Sequence, residues 1–193
     1  GRLLDGALPA VVHGLPLPAQ ALELRSAATW CMLRTHADQL LVCAEDAAIL
    51  AEPGLPGSPL DTMAWMLGDI RAGFARIEPG AGSYTPQMIN LELAGAIAFD
   101  KGCYPGQEVI TRTRHLGHLK RRLFRYAGSC PPPVPGTAVL DAQGGTVGTV
   151  VMAAATGRGS EMLAVVGLDA AGGPLFAGPA CPLQQLGLPY AIP

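Results

Sequence analysis

Leu119-Lys120-Arg121-Arg122-Leu123-Phe124-Arg125-Tyr126-Ala127 opens a series of short strand-like runs that continues at 137–141, 146–154 and 161–168. Pro131-Pro132-Pro133, Gln143-Gly144-Gly145 and residues 156–160 separate them. Evenly spaced short strands between turn-forming residues are the pattern of a small antiparallel barrel, in which every strand pairs with a neighbour and no edge stays open. The composition changes after Gly117. The boundary is therefore expected near His118, with an α+β domain at 1–117 and a C-terminal antiparallel β-barrel at 118–193.

Upstream the patterning is less regular. A short helix is expected within 19–28, then strands at 29–34 and 39–43 around His36-Ala37-Asp38, and a brief helix at 45–52 that Pro53-Gly54 ends. Residues 59–71 carry the clearest helical signal: Ser58 as cap, Pro59 in the first turn, Asp61 near the positive end of the dipole, and Leu60, Met63, Ala64, Leu67 and Ile70 at helical spacing, the first four on one face. At about 100° per residue Trp65 points nearly opposite that stripe. Either a second layer covers the ring, or it is a stacking surface for a flat heterocycle. Residues 86–91 read as a loop and 94–99 as a small apolar strand.

Next comes Lys101-Gly102-Cys103-Tyr104-Pro105-Gly106-Gln107-Glu108. One thiol stands among glycines, beside a cation and just ahead of an expected helix start. Both influences favour the nucleophilic thiolate, lowering a cysteine pKa from about 8.5 toward roughly 3.5–7.5. Glu108 and Arg112 are spaced as an i, i+4 pair on a helix at 106–114. A buried, inert cysteine in a tight turn is the plain alternative. The polar and charged neighbours favour the reactive one.

Bulk properties narrow the rest. With 193 residues, 49% apolar content and a formal net charge of −2, the chain can fill a core and has no overall attraction for nucleic acid or anionic membrane. It has no run of roughly eighteen apolar residues and no leader pattern, so a cytoplasmic protein is expected. Cys31, Cys43, Cys103, Cys130 and Cys181 are scattered and form no C-x-x-C pair, which argues against a disulfide framework and a self-contained zinc site. His115 and His118 have helical spacing but no visible third ligand, so no metal site is assigned. Arg112, Arg114, Lys120, Arg121, Arg122 and Arg125 make a local positive patch. It is either a solvated run with carboxylate partners or a seat for a small anion such as a glutamate tail, and the scarcity of interleaved aromatics weighs against RNA.

Together with Trp65, Asp69-Ile70-Arg71-Ala72-Gly73, Pro86-Gln87-Met88-Ile89-Asn90-Leu91 and the stretch from Arg112 to Arg122, the octapeptide resembles the YgfZ family. Those proteins are folate-binding relatives of the glycine-cleavage T-protein, with the signature K-G-C-Y-x-G-Q-E. The likeness covers the middle of the chain. It implies a T-protein-like folate-binding fold ahead of the barrel, here without the N-terminal portion that supplies part of the folate cavity in longer relatives. It implies tetrahydrofolate or another folate derivative in a cavity between domains, with Trp65, Arg71, Tyr104, Gln107, Glu108 and Arg112 as binding residues. It further implies an accessory role in iron–sulfur cluster assembly or repair, with Cys103 as the working thiol and Lys101 keeping it ionised. Iron–sulfur client proteins would be the partners, and tRNA modification a downstream effect. The alternative is a tetrahydrofolate-dependent aminomethyltransferase like the T-protein. Against it stand Arg71, where T-proteins usually carry glutamate, and the octapeptide, which is foreign to them.

Overall fold

A computed structural model of the chain describes residues 2–3, 11–12, 14–20, 23–36, 39–46, 48, 58–59, 61–99, 102, 108, 110–112 and 119–193. It divides into two compact units, Gly1–Trp65 and Met66–Pro193. The first is built of antiparallel strand pairs. Strand β1 (Arg2–Leu3) pairs with β7 (Ser58–Pro59), and β2 (Val11–Val12) pairs with β3 (Leu15–Pro16). Strands β4 (Leu24–Ser26), β5 (Trp30–His36) and β6 (Gln39–Ala44) form a three-stranded sheet in that order. The hairpin expected from the aliphatic runs is β5–β6, with Leu33 opposite Leu41 and Met32 opposite Val42.

The helix expected within 19–28 does not form. The Glu23 carboxylate accepts the backbone N–H groups of Ala19 (2.5 Å) and Gln20 (3.0 Å), which fixes a turn, and the next residues pair with β5. A side chain that captures local backbone donors competes directly with helix formation. The brief helix expected at 45–52 lies mostly outside the described residues.

Helix α1 (Thr62–Ala72) starts later than patterning suggests. Ser58 and Pro59 belong to β7, and Asp61 is the cap, its Oδ1 accepting the Ala64 N–H at 2.6 Å. The helix ends at Gly73, whose φ of 69° is the left-handed conformation. Gly73 N–H donates to Ile70 O (3.1 Å) and Phe74 N–H to Asp69 O (2.9 Å), the paired bonds of a Schellman cap. The packing face keeps part of the expected recurrence: Ile70 is fully buried and Leu67 packs in the same cluster with Met66, whereas Met63 is exposed.

The second unit holds a closed antiparallel barrel in the order β10-β11-β8-β13-β12-β9. Its strands are β8 (Arg121–Gly128), β9 (Ala138–Leu140), β10 (Thr146–Thr156), β11 (Gly159–Gly167), β12 (Leu175–Ala177) and β13 (Cys181–Leu186). The four sequence runs correspond to β8 through β11, and β12 and β13 close the ring. Period-two alternation sorts the residues into two cores. Met162, Ala164 and Val166 point inward with Phe124, Tyr126 and Val150, while Leu163 and Val165 point outward and pack with Ile70 and Ile89. A register shift between Val150 and Met152 places Val151 and Met152 both in the outer cluster. Each fully buried aliphatic side chain contributes about 1.5–3 kcal/mol, so Ile70 and Ile89 in the outer cluster hold residues 66–91 on the barrel.

Two further expectations are overturned. Residues 94–99 form no strand; Ala94 and Gly95 donate to Asn90 O and Glu92 O and complete a run of turns. Cys130 and Cys181 are joined in a disulfide with Cα atoms 5.6 Å apart. Cys130 follows the end of β8 and Cys181 begins β13, so strand pairing juxtaposes residues that are 51 apart in sequence. Among the described residues, no helix is long and apolar enough to cross a membrane.

Candidate functional site

The segment 86–95 folds as consecutive turns on the outside of the barrel, and one residue organises it. Asn90 is fully buried with φ of 59°, a left-handed backbone that Asn tolerates better than most residues. Its Nδ2 donates to Leu123 O on β8 (2.9 Å) and to the Tyr190 hydroxyl (3.4 Å), and its Oδ1 accepts from Arg122 Nη1 (3.1 Å). Arg122 is 7% exposed and pairs with Glu92 Oε1 at 2.7 Å, so a buried charge on β8 is neutralised by the turn segment. Tyr190 donates to Gly73 O at 2.9 Å, which links the end of α1 to the same network. Burial raises the Tyr190 pKa, so its hydroxyl stays protonated and able to donate.

This network reaches the helical residues that follow the octapeptide. Gln87, 3% exposed, donates from Nε2 to Ile110 O at 2.8 Å. Residues 108 and 110–112 are helical, so the helix expected after the octapeptide is present in its described part and is tied to the buried turn segment. Glu108 and Arg112 are both exposed. Lys101, Cys103, Tyr104 and Gln107 lie outside the described residues.

A second charged group sits on α1 and the barrel. Glu161 on β11 lies opposite Ala127 of β8, which puts Arg125 on the diagonal of the same face. Arg125 Nη2 meets Glu161 Oε2 at 2.7 Å, and Arg71 Nη2, from α1, meets Oε1 at 2.7 Å. Burial pushes the Glu161 pKa up, but hydrogen bonds from Arg71 and Arg125 outweigh it and hold the carboxyl below its ordinary value. Arg71 is raised in turn, chiefly by its hydrogen bond to Glu161. A depressed folded-state pKa adds stability that is complete above the unfolded carboxylate range, about 4.3, and is lost as pH falls through the folded value. Glu161→Gln should therefore cost about 2 kcal/mol at neutral pH. In urea unfolding across pH, the gap to wild type should close on acidification; a gap unchanged down to the lowest pH would contradict the pairing.

The sequence-expected residues thus separate into groups. Trp65 is half-buried. Arg71 is engaged by Glu161 rather than presented alone. In the basic patch, Arg122 and Arg125 are consumed by Glu92 and Glu161, while Arg112, Lys120 and Arg121 are exposed. Gln87 and Asn90 stand in the quoted 86–91 stretch without having been marked as site residues. Their helix-breaking surroundings and polar side chains amid Met88, Ile89 and Leu91 are the signal that could have found them. In the described part of this region the buried polar groups are paired with one another, through Asn90, Arg122, Glu92 and Gln87.

No protein-family model matches the chain. A protein of Sodalis glossinidius (strain morsitans) named tRNA-modifying protein YgfZ is 35% identical over 141 residues, covering 68% of this chain and 43% of the relative. Proteins of the same name from Escherichia coli O7:K1 and Edwardsiella ictaluri are 32% identical over 127 residues and 39% identical over 94 residues. These matches cover 64% and 47% of this chain and 39% and 28% of the relatives. The chain therefore spans less than half the length of the curated relatives it matches.

Proposed function

Because this chain belongs to the YgfZ family over the segment it shares with these relatives, we propose that it is part of a folate-binding accessory protein that supports iron–sulfur cluster assembly or repair in the cytoplasm. Modification of tRNA, the activity in the relatives' name, follows as a downstream effect of cluster supply. The observation that carries the proposal is the octapeptide 101–108, whose following helical turn is held by Gln87 on a buried polar network. In this reading Cys103 is the working thiol, kept ionised by Lys101 and the helix start.

The described residues fit a folate in kind. The half-buried indole of Trp65 offers a stacking face, and exposed Arg112 offers a cation for a carboxylate tail. Arg71 contributes less than the resemblance implies, because Glu161 already balances it. Bound folate would supply a pterin for stacking and one-carbon chemistry; the chain's own residues would bind it and bring it near the thiol. Iron–sulfur proteins are the proposed clients.

The test uses Cys103→Ser in the full chain. Folate binding, read by tryptophan fluorescence quenching with tetrahydrofolate, should match wild type, while restoration of activity to a cluster-dependent client should fall at least tenfold. Full restoration would remove the thiol from the mechanism. Formation of methylenetetrahydrofolate from an aminomethyl-loaded carrier protein would instead favour the aminomethyltransferase.

A further inference from the structure

We propose that Cys31 and Cys43 form a second thiol site, a dithiol that closes reversibly to a cross-strand disulfide by exchange with a low-molecular-weight disulfide. The two residues are directly opposite in the β5–β6 register, neither is in a disulfide, and Cys43 is exposed with Cys31 half-buried. Directly opposed residues of an antiparallel pair project to the same face, so both sulfurs are on one side of the sheet. The register irregularity of this hairpin falls between Arg34 and His36, away from the pair.

Backbone hydrogen bonding fixes the spacing. Glu45 N–H donates to Thr29 O at 2.9 Å, which makes the opposed residues 29 and 45 a hydrogen-bonded pair. Because pair type alternates along an antiparallel ladder, Cys31 and Cys43, two positions further in, are of the same type, with Cα atoms about 5.5 Å apart. Disulfides span Cα separations of about 4.4–6.8 Å, so the backbone already stands in range. The β-carbons of opposed residues are about 4.5–5.5 Å apart, wider than the roughly 3.5–4.5 Å a disulfide adopts. Closure therefore pulls the strands together, and a bond that stores such strain is readily reduced. Access is open: Leu24 and Leu41, on the same face, are 57% and 45% exposed, and Ser26 is the neighbour opposite Cys31. A structural zinc site needs four ligands, and among the described residues no third His, Cys, Asp or Glu joins this pair.

The exchange balances with oxidised glutathione as the small disulfide. The Cys43 thiolate attacks one of its sulfurs, forms a mixed disulfide and releases one glutathione thiolate. The Cys31 thiolate then attacks the Cys43 sulfur, breaks the mixed bond and releases the second glutathione. Two protein thiols are oxidised, one disulfide is reduced to two thiols, and the two protons pass to the departing thiolates.

The test treats full-length Cys103→Ser with oxidised glutathione, quenches by alkylation and maps peptides by mass. A Cys31–Cys43 linked peptide, lighter by two hydrogens, is expected, and dithiothreitol should reopen it at about tenfold lower concentration than it opens Cys130–Cys181. Adding Cys43→Ser should leave Cys31 reduced or stopped at a glutathione adduct. Stable glutathione adducts on both cysteines, a link between two chains, or no reaction would overturn the proposal. None of these readouts involves folate or Cys103.

Discussion

Replacing Arg122 with methionine is expected to lower the unfolding free energy by about 3–5 kcal/mol, although the apolar volume is nearly kept. The guanidinium is 7% exposed and supplies donors to Glu92 Oε1, Asn90 Oδ1 and Gln87 O at 2.7, 3.1 and 3.4 Å. Without it a mostly buried carboxylate and two buried acceptors lose their partner together. Desolvation of the orphaned groups, rather than the loss of the ion pair itself, dominates the cost. Pairing Arg122→Met with Glu92→Leu removes the stranded charge and should recover most of the loss. A native stability of 5–15 kcal/mol makes the single change large enough to read directly in urea unfolding. If the single and double variants unfold at the same midpoint, the pair is not a buried one. Because Gln87 also holds Ile110, the single variant should speed proteolysis after residue 101 while leaving the β5–β6 hairpin untouched.

How much of this was legible in the sequence depended on the range of the interactions. Strands β8 to β11 announce themselves because aliphatic runs and turn residues lie side by side in the chain. Strand β12 has only three residues between Pro174 and Gly178, and β13 carries Pro182, Gln184 and Gln185, so neither shows a strand pattern although the barrel cannot close without them. Helix α1 was legible in kind, but its start was decided by competition: Ser58 and Pro59 pair with β1, which leaves Asp61 to cap. The arginine cluster was legible as charge, but its meaning was not. Arg71 and Arg122 find their carboxylates 90 and 30 residues away in the sequence, respectively, and only the folded barrel brings these groups together. The same holds for Cys130 and Cys181. The octapeptide shows the opposite case: the expectation for Cys103 rests on adjacent residues alone and draws on no long-range contact.

The turn between β10 and β11 carries the other large expected effect. Gly159→Ala should cost about 3–5 kcal/mol, whereas Gly157→Ala, two residues earlier in the same turn, should stay within about 0.5 kcal/mol. Gly159 has φ of 138°, and a β-carbon there would stand 2.2 Å from Gly128 O and 2.9 Å from Ser129 Cα. Nothing lies within 4 Å of the corresponding position at Gly157. Side-chain repacking cannot relieve the first contact, because both atoms belong to the backbone of β8 or the residue just after it. An L-residue at positive φ adds about 1–2 kcal/mol of its own. The strand that must move also carries Arg125, which holds Glu161, and it leads into the Cys130–Cys181 disulfide. Strain at this turn should therefore weaken the Arg71–Glu161–Arg125 group and loosen α1. Urea unfolding of the two variants is the measurement, and equal stability for both would mean that the turn stands farther from β8 than the close packing of Gly159 against Gly128 requires.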